Sequence, residues 1–487
     1  MKRGGTLSST TNQTAAQKFE SAHGVRDTRT FLGHPIGLFV LFFTEMWERF
    51  SYYGMRGLLK LYMVNYLFVI SRQVLQGGTE KVAGNPGTVI GWETIKHFTQ
   101  SNPDALAGAH ASVIYGWYTG LVYLTPLLGG YLADKYWGQR KTVVLGGVLM
   151  AIGHFMMAFE NWFFFALLFL IIGNGAFKPN ISTQVGNLYA QDDPRRDGAF
   201  TIFYMGINLG AFICNLVCGT LAATKGWDWG FGAAGVGMML GLCVYLFGQK
   251  YLATDNLTET KAIPEAQKKH SLDEGEKKRV WALVALCLLN VVFWAVYEQQ
   301  GNTLQTWADE KTIWPVIMGF QIPATWFQSF NPLFIFLLAP ILDIFWIRQG
   351  KAGKEPSSVS KMAIGSVILG LSFIVMVVVA SQGDEKGSWV WPVFCTLLLT
   401  VGELYLSPIG LSLVTKVSPA RIVSLMMGMW FLSSFVGNIL SGYIGLLYEN
   451  KMLSATNFFW VLTALGVATG FSIWAFAKPL KKAMGHA

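Results

Sequence analysis

The chain has 487 residues, 52% of them hydrophobic and only 13% charged, with 53 glycines and a net charge of +9. Soluble domains carry about 25% charged residues; here apolar runs of 18 or more residues recur, which excludes an ordinary soluble domain and points to an integral membrane protein. The basic excess sits between the apolar runs, so it reads as membrane topology and gives nucleic-acid binding no support.

In chain order, residues 1–30 are polar and lack the apolar core of a cleaved leader. Apolar windows follow at about 36–68, 107–133, 141–160, 162–189, 199–222, 228–249, 280–308, 324–347, 359–381, 389–414, 422–448 and 455–477. The predicted fold class is therefore all-α and integral to the membrane, with twelve transmembrane helices. The polar stretch 249–279 divides them six and six. The expected division is an N-terminal six-helix bundle with its tail (1–248), a cytoplasmic linker (249–279) and a C-terminal bundle (280–487). With the N-terminus inside, 26 of the 37 Lys and Arg residues fall inside, 7 outside and 4 within spans. Both termini are thus expected in the cytoplasm of a multi-pass protein of the cell inner (plasma) membrane.

Two six-helix halves suggest the major facilitator architecture. The loop "GGYLADKYWGQRKT" (129–142) resembles the G-x-x-x-D-x-x-x-G-x-[KR]-[KR] loop of that superfamily, through Gly130, Asp134, Gly138, Arg140 and Lys141. A weaker echo, "APILDIFWIRQGK" (339–351), follows the eighth window. Asp134 is expected to face a helix N-terminus while the basic pair holds the inner face.

The first window contains "TEMWERFSYYGMR" (44–56). Glu45, Glu48, Arg49, Tyr52, Tyr53 and Arg56 recur at helical spacing and form one polar stripe about 16 Å long. Such a stripe faces protein or a water-filled cavity rather than lipid. Lys178, Glu298 and Glu403 add ionisable groups in other spans. Four carboxylates (Glu45, Glu48, Glu298, Glu403) then face three bases (Arg49, Arg56, Lys178). The formally unpaired acid is suited to carry a proton, whereas arginine stays charged and holds anions. A structural ion-pair network that fixes helix register is the plainer alternative.

The five cysteines lie in apolar segments without metal-ligand spacing, and neither a metal nor a cofactor is expected. "GFGAAG" (230–235) fits a dinucleotide fingerprint, but it lies inside a span with no strand before it. His154 stands alone in the third span and is expected to pack in the core.

On these motifs the chain resembles the proton-dependent oligopeptide transporter family. Glu45, Glu48 and Arg49 match its Glu-x-x-Glu-Arg motif. The likeness extends through "GNGAFKPNIS", "FYMGINLGA", "FWAVYEQQG", "NPLFIFLLAP", "GELYLSP" and "GMWFLSSFVGN". The resemblance implies no enzyme but a symporter that imports di- and tripeptides with protons across the lipid bilayer, expected here as a monomer. By motif, Arg49 and Lys178 would meet the peptide carboxylate, and Glu403, Asn208 and Asn331 its amino terminus. Tyr53 and Tyr123 would line the pocket, and Trp294 and Trp430 would wall side-chain space. Glu45, Glu48, Arg49 and Glu298 would couple protons. Arg56 with Glu298, and Lys178 with Glu403, would bridge the halves as gates. The chain departs from the family's patterns at three places: the linker lacks the two extra helices of many bacterial relatives, Gly116 stands where animal relatives carry a histidine, and Tyr297 replaces a second acid. A transporter of another small organic ion or of nitrate on the same fold remains the alternative, and a membrane enzyme or channel the rival class.

Overall fold

The computed structural model describes residues 25–69, 73–76, 79–82, 84–99, 106–190, 193–255, 273–383, 385–419, 422–475 and 477. Twelve helices of 18 residues or more run through them: α1 (Ile36–Tyr62), α2 (Ala107–Leu132), α3 (Gln139–Met156), α4 (Phe163–Asn187), α5 (Arg196–Thr224), α6 (Trp227–Gly248), α7 (Glu274–Tyr297), α8 (Phe330–Lys351), α9 (Ser358–Ala380), α10 (Val390–Val417), α11 (Val423–Glu449) and α12 (Ala455–Ala475). Nine stretches built on these helices are long and apolar enough to cross a membrane. The three that fall short are α1, α2 and α3. Ionisable groups dilute α1, Gly and Tyr dilute α2, and the polar start "QRKT" and His154 dilute α3. Large apolar side chains face outward, Phe247 and Leu288 being 83% and 66% exposed, as expected of surfaces covered by lipid rather than water.

Every long element among the described residues is an α-helix, and the strands are short, of two to four residues. Short strands pair Thr30–Phe31 with His34–Pro35, Gln73–Gln76 with Thr79–Val82, and Val316–Ile317 with Phe320–Gln321. Thr312–Ile313 pairs in parallel with Gly387–Ser388. The first pair precedes α1 and the others lie between long helices, where backbone groups outside a helix need partners. The sixth-to-seventh connection is described only at its two ends, and 256–272 of the expected linker lie outside the described residues. Helix α7 begins at Glu274 rather than near 280. Asp273 caps it by accepting from the Glu276 amide at 2.6 Å, and Glu276 Oε2 accepts from the Asp273 amide at 3.1 Å. That Asp-x-x-Glu signal was readable within the polar stretch.

Two further expectations need correction. Asp134 is exposed, and the carboxylate at the N-terminus of α3 belongs to Asp255, which accepts from the Arg140 amide at 3.1 Å. Gly138, at φ +78°, makes the turn between the Asp134 segment and α3. The second-half echo is not a loop: α8 runs on to Lys351, with Arg348 and Lys351 in its last turn, where cations suit the helix dipole. Beside the start of α1, His34 Nδ1 lies 2.8 Å from the Tyr189 hydroxyl. Burial, and then the nearby Arg195, hold this imidazole below its ordinary pKa.

The buried apolar side chains fall into two clusters. One draws on residues 25–253, the other on residues 282–473 together with Leu61. Within the first, α1 packs between α5 and α6; across the clusters, α2 meets α11 and α5 meets α8. The α1–α5 crossing is close because Gly210 stands in it: a Cβ there would lie 2.1 Å from the Met46 carbonyl oxygen and 3.0 Å from the Phe50 amide. Backbone cannot yield as a flexible side chain can, so Gly210→Ala is expected to destabilise by about 1–3 kcal/mol. A thermal-melting midpoint in detergent equal to the wild type would rule out that packing constraint.

Candidate binding cavity between the two halves

The stripe on α1 is buried, as an apolar surround requires of ion pairs that satisfy one another. Glu45, Glu48 and Arg49 are 1%, 0% and 2% exposed. Arg49 ion-pairs with Glu45 at 3.2 Å and donates to Glu48, with Nη2 to Oε1 at 2.7 Å. Glu45 Oε2 has no hydrogen-bond partner. Asn174 of α4 donates to Glu48 Oε1 at 3.4 Å. The Arg49 guanidinium also lies over the rings of Tyr52 and Tyr53, at 5.1 and 5.8 Å. One fixed cation thus holds two carboxylates with lone pairs to spare.

Arg49 opens onto a cavity of about 360 Å³, within the range of roughly 300–1,000 Å³ usual for small-molecule sites. Tyr53, Arg56, Tyr123, Lys178 and Asn208 line it from one half. Trp294, Glu298, Asn331, Glu403 and Trp430 line it from the other. Glu45 and Glu48 are not among the lining residues; they stand behind Arg49. The lining mixes charged and amide side chains with aromatic ones, Trp294 meeting Tyr297 edge to face at 5.4 Å.

Arg56 pairs with Glu298 across the halves, and its Nε donates to the Tyr115 hydroxyl at 2.8 Å. Lys178 and Glu403, by contrast, form no ion pair. The Lys178 ammonium lies 5.4 Å from the centre of the Tyr123 ring. Glu403 Oε2 accepts from Tyr297 at 2.7 Å and from Asn331 at 3.0 Å. The expected bridge between them is absent; neutral donors of its own half bond Oε2 of the carboxylate instead. Asn331 also donates to Thr400 at 3.0 Å, and Asn208 to the Tyr204 carbonyl at 3.0 Å.

Polar contacts join the halves at the end remote from the termini. Lys60, only 1% exposed, pairs with Glu449 at 2.8 Å and donates to the Gly108 carbonyl at 3.0 Å. Asn65 donates to Asp309 at 2.7 Å, and Asn302 to Ser112 at 2.7 Å. The sequence reading passed over Lys60, although it stands four residues beyond Arg56 and so continues the stripe. Since Glu449 comes with it, the balance of acids over bases is unchanged. Tyr115 and Asn174 carried no local signal. Gly116 has no space for an imidazole: a Cβ there would lie 2.7 Å from the Asn438 carbonyl oxygen and 2.9 Å from Gly442 Cα.

Known proteins share both the sequence and this architecture. A family model described as the POT family matches residues 140–272 and 252–461. The uncharacterized transporter YclF of Bacillus subtilis (strain 168) is 36% identical, over 93% of this chain and 96% of its own length. The peptide transporter YePEPT of Yersinia enterocolitica subsp. palearctica serotype O:3 (strain YE-P4) is 35% identical, over 86% and 88%. A solved structure of a peptide transporter POT in complex with sulfate superposes with a TM-score of 0.80 at 31% identity, covering 97% of this chain and 100% of the other. A match across well over half of the residues, with full-length relatives above 30% identity, establishes that this chain belongs to the POT family of transporters, the family its motifs resemble.

Proposed function

We propose that this chain is a proton-coupled symporter that imports di- and tripeptides by alternating access. On this reading all twelve long helices span the inner membrane in the major facilitator arrangement. Residues 1–248 and 280–487 form the halves, 249–279 the cytoplasmic linker, both termini are cytoplasmic and the protein works as a monomer. The observation that carries the reading is the charge layout of the cavity: fixed cations, Arg49 and Lys178, on the first half and a carboxylate, Glu403, on the second. A peptide of any sequence has an anion at one end and a cation at the other. Such a site holds both ends without reading side chains, Asn208 and Asn331 serve the polar groups between, and Trp294 and Trp430 give apolar walls.

Coupling follows from Arg49. Protonation of Glu48 releases half of the guanidinium's carboxylate partners, and the peptide carboxylate takes their place. Contacts at the end remote from the termini support an inward-facing state, in which the Arg56–Glu298 gate is shut. Lys178 and Glu403 then bridge when the opposite end closes.

The test is uptake of labelled dialanine into proteoliposomes with and without an inward proton gradient. Gradient-dependent accumulation is expected. Uptake indifferent to the gradient would remove the coupling, and no uptake under either condition would favour another small organic ion. The amino-terminal role of Glu403 has its own test. A charge-assisted contact is worth about 1.5–3 kcal/mol, or roughly 10- to 100-fold in affinity. N-acetyl-dialanine should compete that much more weakly than dialanine, and the gap should narrow in Glu403→Gln. An unchanged ratio would move the ammonium site elsewhere, with Glu298 the next candidate.

A further inference from the structure

Glu403 is held by one oxygen only. Its Oε2 accepts from Tyr297 of α7 at 2.7 Å and from Asn331 of α8 at 3.0 Å. Its Oε1 is bonded to none of the described residues and, unlike Glu45 Oε2, is not closed off from the surface. All three side chains line the cavity. An ionised carboxylate has about four acceptor positions on its two oxygens. Two neutral donors from two helices therefore fix Glu403 at Oε2 and leave Oε1 as its open acceptor.

The two donors differ in how firmly they are set. Asn331 divides its amide nitrogen between Glu403 and Thr400, at 3.0 Å each. The Tyr297 hydroxyl serves Glu403 alone, by the shorter bond, and its place is fixed by the ring that carries it. That ring stacks on Phe293, with centroids 6.1 Å apart and planes 9° from parallel, and meets Trp294 edge to face. Both neighbours come from the preceding turn of α7, so the ring is braced by its own helix. Without the hydroxyl, Asn331 would hold the carboxylate by a shared bond, and Glu403 would be freer to turn toward Lys178 across the cavity.

We propose that Tyr297 is a positioning residue for amino-terminus recognition: its hydroxyl holds Oε2 of Glu403 so that Oε1 is presented to the peptide's ammonium. The assignment rests on the role given to Glu403 above. The test is competition of dialanine and N-acetyl-dialanine against labelled dialanine in counterflow, in wild type, Tyr297→Phe, Glu403→Gln and the double variant. Phenylalanine keeps the ring and its packing and removes only the hydroxyl. The preference for a free amino terminus, read as the ratio of the two Kd values, is expected to fall about fivefold in Tyr297→Phe, the worth of one ordinary hydrogen bond. The fall should come from dialanine, with N-acetyl-dialanine binding as in wild type. In the Glu403→Gln background Tyr297→Phe should change the ratio no further, because the hydroxyl acts through the carboxylate. A ratio within twofold of wild type in Tyr297→Phe, whether both affinities hold or both fall together, would overturn the role. A wider ratio would make the hydroxyl a competitor of the ammonium, and an equal fall in the Glu403→Gln background would put it on the ligand directly; either overturns positioning. A wild type that does not distinguish the two ligands would instead overturn the role of Glu403, and wild type without counterflow the peptide reading itself, and the proposal with them.

Discussion

Arg56→Ala and Glu298→Ala are each expected to reduce peptide uptake by more than tenfold, and the double variant to lose far less than the product of the two. Both groups lie in the cavity wall where the halves meet, and Glu298 is 2% exposed. Removing one partner of a buried ion pair costs about 3–5 kcal/mol, because the other charge is left uncompensated. Removing both avoids that penalty. If the pair holds the outer face shut, the same energy shifts the balance between the two faces of the carrier by roughly 10²- to 4 × 10³-fold. Tyr115 retains a hydrogen bond to Arg56 in Glu298→Ala, so that variant should be the milder one. The measurement is a double-mutant cycle on initial uptake rates, read beside thiol labelling of a cysteine placed at Asn65, in the same closed end. Strictly multiplicative losses, with no change in labelling, would mean that the two residues act separately and gate nothing together.

Glu48→Gln is expected to abolish gradient-driven accumulation while peptide counterflow persists. Glu48 is wholly buried, and Arg49 and Asn174 bond it. Arg49 cannot give up a proton; a proton entering this cluster must therefore rest on Glu48 or Glu45. Glutamine at 48 imitates the protonated carboxyl permanently. Peptide should then still bind Arg49, with Glu45 keeping the guanidinium in place at 3.2 Å, but no proton can be delivered with it. The expected outcome is exchange at a rate comparable to wild type with no accumulation above equilibrium under an inward gradient. Wild-type accumulation would exclude Glu48 as the coupling site and transfer the role to Glu45, whose Oε2 is unbonded. Loss of both exchange and accumulation would mean that Glu48 serves binding rather than coupling.

Much of this protein was legible because the signals are local. Helical period alone placed Glu45, Glu48, Arg49, Tyr53 and Arg56 on one face of α1, and that face is buried against α4 and the cavity. Hydropathy located most of the long helices to within a few residues, but α1 ends at Tyr62 rather than 68, α7 runs from its capped start at Glu274 only to Tyr297 rather than to 308, and α8 is shifted from 324–347 to Phe330–Lys351. The helical period would also have yielded Lys60, one turn beyond Arg56. Which partner each polar group takes was another matter. Tyr115 bonds Arg56 across 59 residues, Asp255 caps α3 across 115, Asn174 reaches Glu48 across 126 and Tyr297 takes Glu403 across 106. Those pairings depend on how helices stack, and spacing along the chain carries no record of that. The absent Lys178–Glu403 bridge has a different cause. On the alternating-access reading proposed above, the sequence would support two arrangements of the same helices within a few kcal/mol of each other and encode both sets of pairs at once. Tertiary packing selects one: with Arg56 on Glu298 and Lys60 on Glu449, Glu403 rests on Tyr297 and Asn331 rather than on Lys178.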